Sequence, residues 1–293
     1  MTTLFILLAI FFFSIQPIAM KKIKVASLRV NILQTGTFSG TVAVFFWIWA
    51  VCAGFRFSGI TIGYGLLFGA VLIATIACYY FAMHTGPLSY TSFFYSASMV
   101  IPALAGVLIW HDSFRWTAGV GIALFLAAFY FITVPGVQGG GKASKKWLLL
   151  CAATWFLNGS LSVIVKAQQM ATGGKEATSM TTIAFTAACV FSLVTYFAMA
   201  AVSRELPKTG AELGSLRVYA LPLLLLAVGN GGGNCTITYL SSRVSSAYLF
   251  PVVLGGMMIA VTAYSVLVLK EKINKSGMVG MLLGVVALLV LNI

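Results

Sequence analysis

The sequence predicts an all-α polytopic membrane protein, with ten transmembrane helices arranged as two inverted five-helix repeats. Three observations lead there. Sixty per cent of the 293 residues are apolar and 8% are charged, at a mean hydropathy of +1.03, whereas a soluble domain carries about 25% charged residues. The apolar residues come in continuous runs of about 20, the length that crosses a bilayer as a helix, and do not alternate as a β-barrel strand must. Short polar patterns then recur half a chain apart. The composition leaves too little polar surface to face water, which excludes a soluble enzyme, a disordered chain, a collagen-like chain and a nucleic-acid binder.

Cutting the chain at charge clusters and Gly/Pro/Ser turns yields spans over 2–20, 28–51, 59–82, 88–110, 116–134, 147–168, 178–202, 218–239, 245–269 and 275–292. The first span begins with no basic residue before it, and Lys21, Lys22 and Lys24 follow it. A secretory signal has the opposite polarity, so this span reads as a retained transmembrane helix. The longest links are 135–146 and 203–216. The first is basic and holds Gly139, Gly140 and Gly141. It divides the chain into a five-span repeat at 1–134, a linker at 135–146 and a second repeat at 147–293.

Eighteen Lys and Arg face five Asp and Glu, a net charge of +13. The basic residues sit in short clusters between spans, as orientation signals do. Alternate links hold Lys21, Lys22, Lys24 and Arg29; Lys142, Lys145 and Lys146; Arg204, Lys208 and Arg217; and Lys270, Lys272 and Lys275. The opposite side holds Arg56, Arg115, Lys166, Lys175 and Arg243. The positive-inside rule therefore sets both termini outside the cytoplasm, and a plasma-membrane location is expected. The five acids, Asp112, Glu176, Glu205, Glu212 and Glu271, all fall in or beside links. Cys52, Cys78, Cys151, Cys189 and Cys235 are widely spaced and form no CxxC pair, so neither a disulfide framework nor a metal site is expected. His84 and His111 lie at separate span ends and do not make a metal site. No cofactor is expected.

Glycine pairs at helix-packing spacing, Gly36/Gly40, Gly59/Gly63, Gly65/Gly69, Gly229/Gly233 and Gly280/Gly284, let backbones approach closely in lipid. They read first as intramolecular contacts, with a homodimer face as the alternative.

Two echoes link the halves. Phe13, Gln16, Pro17 and Lys24 match Trp155, Asn158, Gly159 and Lys166 at a constant offset of 142. Thr85, Ser89, Thr91 and Phe94 match Ser241, Ser245, Ala247 and Phe250. Five spans per half is an odd number, so the second half would insert upside down, a pattern typical of transporters with a site between the repeats.

These residues carry a resemblance. The run from Trp155 through Asn158-Gly159 to Lys166, the stretch Ser245-Ser246-Ala247-Tyr248-Leu249-Phe250-Pro251, and the ending Lys270-Glu271-Lys272-Ile273 with Gly277, Gly280 and Gly284 resemble the drug/metabolite transporter superfamily, in particular its ten-helix EamA-like members. The resemblance spans the chain and is clearest over 235–293. It implies a central cavity lined by spans 1–4 and 6–9, with spans 5 and 10 peripheral, and a small organic metabolite or drug-like solute as partner. The acid usual after the fourth helix of the family is replaced by Trp110-His111-Asp112-Ser113, and the family's termini are generally inward.

Polar groups in hydrocarbon are costly unless partnered, so their positions are informative. Asn158 lies near the middle of the sixth span, and Asn230 and Asn234 flank Gly231-Gly232-Gly233 in the eighth. Three successive glycines weaken a helix by about 1 kcal/mol each, and unwound backbone at that depth is tolerated where it lines a cavity. The expected solute-binding set is Gln16, Asn31, Gln34, Tyr80, Tyr95, Trp155, Asn158, Asn230, Asn234 and Tyr248, the aromatics offering faces for a planar or cationic ligand. Amides bonded to neighbouring backbone are the competing reading for the asparagines. For Asn31 and Gln34 it is contact with lipid headgroups.

No midspan carboxylate exists to exchange a proton for substrate. The expectation is a facilitator or exchanger working by alternating access, with proton coupling through His84 as the fallback. The solute would be neutral, zwitterionic or a delocalised cation. An intramembrane enzyme needs a nucleophile–base pair or paired acids at one depth, which the spans lack. A channel or structural membrane protein is the second alternative. No P-loop is present for a primary pump.

Overall fold

The computed structural model describes residues 2–23, 27–111, 116–133, 144–202, 209–270 and 275–291. The described residues form twelve helices and no strand: α1 (Thr2–Lys22), α2 (Leu28–Ala53), α3 (Gly59–Thr85), α4 (Leu88–Ala97), α5 (Val100–Trp110), α6 (Trp116–Thr133), α7 (Lys145–Ala171), α8 (Ala177–Val202), α9 (Thr209–Val218), α10 (Ala220–Ser241), α11 (Ser246–Leu267) and α12 (Lys275–Leu291). Eight helical stretches are long and apolar enough to cross a bilayer. These are α1, α2, α3, the stretch Tyr90–Trp110, α7, α8, α10 and α11. Apolar side chains cover their outward surfaces as well as their contacts, with Val44, Phe45, Ile48, Leu149, Val194 and Phe197 all exposed. A helix apolar all round belongs in lipid, so the architecture is that of an integral membrane protein.

The helices pair across the chain's midpoint. α2 packs on α8, α6 on α12, α1 on α10, and α3 on both α7 and α8. α1, α4 and α5 pack on α11, with lesser contacts of α2 to α10, and of α4 and α5 to α7. Glycines set several of these approaches. A Cβ on Gly69 would stand 2.8 Å from the Ala184 carbonyl oxygen, and one on Gly229 would stand 2.8 Å from the Phe12 carbonyl oxygen. Gly36 and Gly40 meet Ser192 and Cys189 of α8. By contrast, Gly59 and Gly63 face open space.

The fourth expected span is two helices. α4 stops at Ala97 and α5 begins at Val100. Pro102 has no N–H to give the Ser98 carbonyl and its ring crowds that carbonyl. Ser98 O instead accepts from Ile101 N at 3.0 Å, a tighter 3₁₀-type bond. The glycine run of α10 behaves differently from expectation. α10 is continuous helix from Ala220 to Ser241, because Gly229, Gly231, Gly232 and Gly233 are each closely covered by α1 or α2 side chains and backbone. Tertiary packing there outweighs glycine's weak helix propensity. The expected loop at 203–216 also holds a helix, α9, docked by Glu212. Its carboxylate accepts from Arg29 at 2.6 Å and from the Tyr196 hydroxyl.

Helix ends carry the polar fastenings. Ser27 and Ser58 cap α2 and α3, accepting from Val30 N and Thr61 N. Lys21 donates to Met83 O at 2.9 Å, at the end of α3. Lys166 is buried and donates to Ser241 O at 3.0 Å, at the end of α10, which satisfies a terminal carbonyl and complements the helix dipole.

Candidate functional site

The site is built where the α4–α5 break meets α7 and α10. Carbonyls and a hydroxyl at the break accept further hydrogen bonds from side chains of α7. Trp155 Nε1 donates to Ala97 O at 3.0 Å. Asn158 Nδ2 donates to Tyr95 O at 3.3 Å and to Ser98 Oγ at 2.6 Å. Both amide hydrogens of Asn158 are thereby used, which leaves its carbonyl oxygen to accept. On α10, Asn234 Nδ2 donates to Asn230 O at 2.9 Å and to Asn230 Oδ1 at 2.8 Å. This leaves Asn234 an acceptor oxygen and Asn230 a donor nitrogen.

Tyr95, Asn158, Asn230 and Asn234 line one internal chamber of about 30 Å³. Ser162 joins them, one helical turn beyond Asn158, and the apolar wall includes Phe13, Phe68, Leu161 and Phe250. Among the described residues no charged side chain lines it. A space of this size accepts about one or two waters, so in this conformation the chamber is occluded to any organic solute. Its polar groups offer carboxamide acceptors, an amide donor and two hydroxyls. Such a set binds an uncharged or internally balanced ligand without the desolvation penalty of a fixed charge.

The remaining expected residues lie elsewhere. Gln16 is buried on α1 beside the Tyr95 hydroxyl, and among the described residues no hydrogen bond of standard geometry reaches either end of its amide. Asn31 and Gln34 are buried inside the bundle, so they do not meet headgroups, and among the described residues the Gln34 amide and Asn31 Oδ1 have no partner. Tyr80 donates to Ile23 O near the far end of α3. Trp155 serves the break and does not line the chamber. Tyr248 is 42% exposed on α11 and does not line it either. His84 sits between two carbonyls, Nδ1 at 2.8 Å from Tyr80 O and Nε2 at 2.9 Å from Ile23 O, and ties α3 to the end of α1. Glu271 and Asp112 lie outside the described residues. Ser98 and Ser162 were missed from the sequence. Their signals were the position four residues before Pro102 and the position four residues after Asn158.

No protein-family model matches the chain. It is 25% identical over 193 residues to an uncharacterized protein of Haemophilus influenzae, covering 65% of this chain and 62% of that one. It is 32% identical over 75 residues to the probable 4-amino-4-deoxy-L-arabinose-phosphoundecaprenol flippase subunit ArnF of Klebsiella pneumoniae, covering 25% of this chain and 60% of ArnF. The chain thus spans less than two thirds of the length of either relative. A solved crystal structure superposes with a TM-score of 0.65 at 16% identity, covering 99% of this chain and 95% of the other. What is shared with it is the fold.

Proposed function

We propose that this chain is a secondary transporter of a small organic metabolite or drug-like solute, of the EamA-like drug/metabolite type, working by alternating access as a facilitator or exchanger. The observation that carries the reading is the meeting of Tyr95, Asn158, Asn230 and Asn234 in one uncharged, occluded chamber. α4 contributes from one half of the chain, and α7 and α10 from the other.

We read the architecture as ten membrane crossings in two inverted repeats, 1–134 and 147–293, joined at 135–146. α4 and α5 make one crossing, and α9 lies outside the count. The pairing pattern supports this. Exchanging α1 with α7, α2 with α8, α3 with α10, α4–α5 with α11 and α6 with α12 turns the α1–α10 contact into α7–α3 and the α2–α10 contact into α8–α3. It turns α1–α11 into α7 with α4–α5, and returns α2–α8 and α6–α12 to themselves. The lysine fastenings also correspond: in each half a lysine of the first helix caps the end of the third. A pseudo-twofold between repeats is the geometry in which one bundle rocks against the other around a central site. The name of the Klebsiella relative, a flippase subunit, supports a translocation role in the cell membrane.

The chamber's neutrality favours a neutral, zwitterionic or delocalised cationic solute. Counterflow in vesicles tests the reading. Purified protein is reconstituted with each member of a panel of amino acids, nucleosides, sugars, polyamines and aromatic cations. The expected result is saturable, trans-stimulated uptake of one class, abolished by Asn230→Ala. Non-saturating flux without trans-stimulation would make the protein a channel, and no flux for any class would leave a structural role.

A further inference from the structure

We infer that the lateral groove between α1, α2, α8 and α10 is a binding site for an anionic lipid, with its phosphate held by Arg243 and Lys175 and an acyl chain laid along the groove. This goes beyond the transport reading and does not rest on it. The groove has a volume of about 900 Å³ and is distinct from the occluded chamber. Its apolar wall includes Phe5, Phe12, Phe45, Phe46 and Trp49, and Phe45, Trp49, Leu224, Val228 and Tyr239 are exposed. Along α10 it runs from Leu224 to Tyr239, about 22 Å at 1.5 Å per residue, with Arg243 just past the helix end. That covers most of the hydrocarbon thickness of about 30 Å. A flat helix face meets lipid chains transiently, whereas a long concave channel surrounds one chain and holds it.

The charge sits at one end. Arg243 and Lys175 are both exposed and both line the groove at the terminus shared by the end of α10 and the start of α8. Arg243 stacks on Tyr239 at 3.8 Å and uses one nitrogen on Tyr239 O and Ser242 Oγ, which leaves further guanidinium donors directed outward. Among the described residues no carboxylate pairs with either cation. The nearby Glu176 carboxylate is engaged by Ser58 and Thr61. This is the side of the protein where basic residues are scarce, so two cations lining one groove end are not explained by the positive-inside pattern. A cation beside the bilayer attracts a lipid phosphate electrostatically, and a bidentate guanidinium adds geometric selection for phosphate. The groove and chamber share one partition: Phe12, Gly231 and Gly232 line the groove, while Phe13, Asn230 and Asn234 line the chamber. An occupant of the groove therefore touches α1 and α10, two of the helices that wall the chamber.

Quenching of Trp49 tests the site. The full chain is reconstituted in phosphatidylcholine vesicles containing phosphatidylglycerol or phosphatidylcholine brominated on the acyl chain, and the Trp49 signal is taken as the difference from Trp49→Phe. Brominated phosphatidylglycerol should half-quench it at a mole fraction about fivefold lower than brominated phosphatidylcholine. Arg243→Gln with Lys175→Gln should bring the two curves together, and Arg243→Lys should retain most of the preference. The cations are exposed, so an unchanged unfolding temperature is expected for every variant. Equal quenching by both lipids in the unmodified protein, or a preference that survives the double substitution in a folded protein, would overturn the assignment.

Discussion

The Asn158 amide lies 2.6 Å from the Ser98 hydroxyl, joining α7 to the point where the fourth membrane crossing breaks. One side chain thus donates to the Tyr95 carbonyl and the Ser98 hydroxyl beside the break and presents its remaining oxygen to the chamber. The bond places a structural and a ligand-facing role on the same residue, so its removal must be read with two measurements.

Asn158→Ala should lower stability by about 1–3 kcal/mol, since the Tyr95 carbonyl and Ser98 hydroxyl lose a buried partner. Asn230→Ala, whose side chain is held by Asn234 alone among the described residues, should cost less. Thermal unfolding in detergent reads the difference. If the two variants unfold together, the α4–α5 break does not depend on Asn158.

Glycines predict a contrast of sign. Gly229→Ala drives a Cβ to 2.8 Å from the Phe12 carbonyl oxygen, backbone that cannot swing aside, and should destabilise by about 1–3 kcal/mol. Gly63→Ala projects into open space within α3 and should stabilise by up to about 1 kcal/mol, the helix-propensity gain. A shared direction of change in unfolding temperature would mean that the α1–α10 approach is looser than this geometry.

Glu176 predicts a pH dependence. Burial raises its pKa, but hydrogen bonds from Thr61 and Ser58 outweigh that and hold it below its ordinary 4.5. A depressed folded-state pKa means that the unfolded chain binds the proton more readily. The stabilisation is therefore complete above about pH 4.5 and is lost as pH falls through the lower folded value. Glu176→Gln should flatten that acid limb of the stability curve while leaving neutral pH less affected. An unchanged acid limb in the variant would assign the acid sensitivity to another group.

The docking of α9 rests on Arg29 and Glu212, 2.6 Å apart with side chains 11% and 12% exposed. A double-mutant cycle with Arg29→Met and Glu212→Gln should report a coupling of about 1–3 kcal/mol. The pair lies between the start of α2 and the end of α8, where its side chains are largely covered. A coupling near zero would mark α9 as loosely attached.

Hydropathy and charge in the sequence alone determined the membrane class, the positions of the helical stretches and the residues worth suspecting at depth. Those are local quantities: a run of about 20 apolar residues must be helical in lipid because its backbone has no other partner. Asn158, Asn230 and Asn234 were legible for the same reason, as amides in hydrocarbon. The tertiary structure decided which of these meet. Tyr95 joins them because Pro102 breaks a crossing that hydropathy reads as unbroken, while Tyr248, equally aromatic, turns outward. The glycines of α10 stay helical because α1 and α2 cover them. The groove with Arg243 and Lys175 was invisible in sequence, since it joins four helices and two links whose adjacency no local pattern encodes.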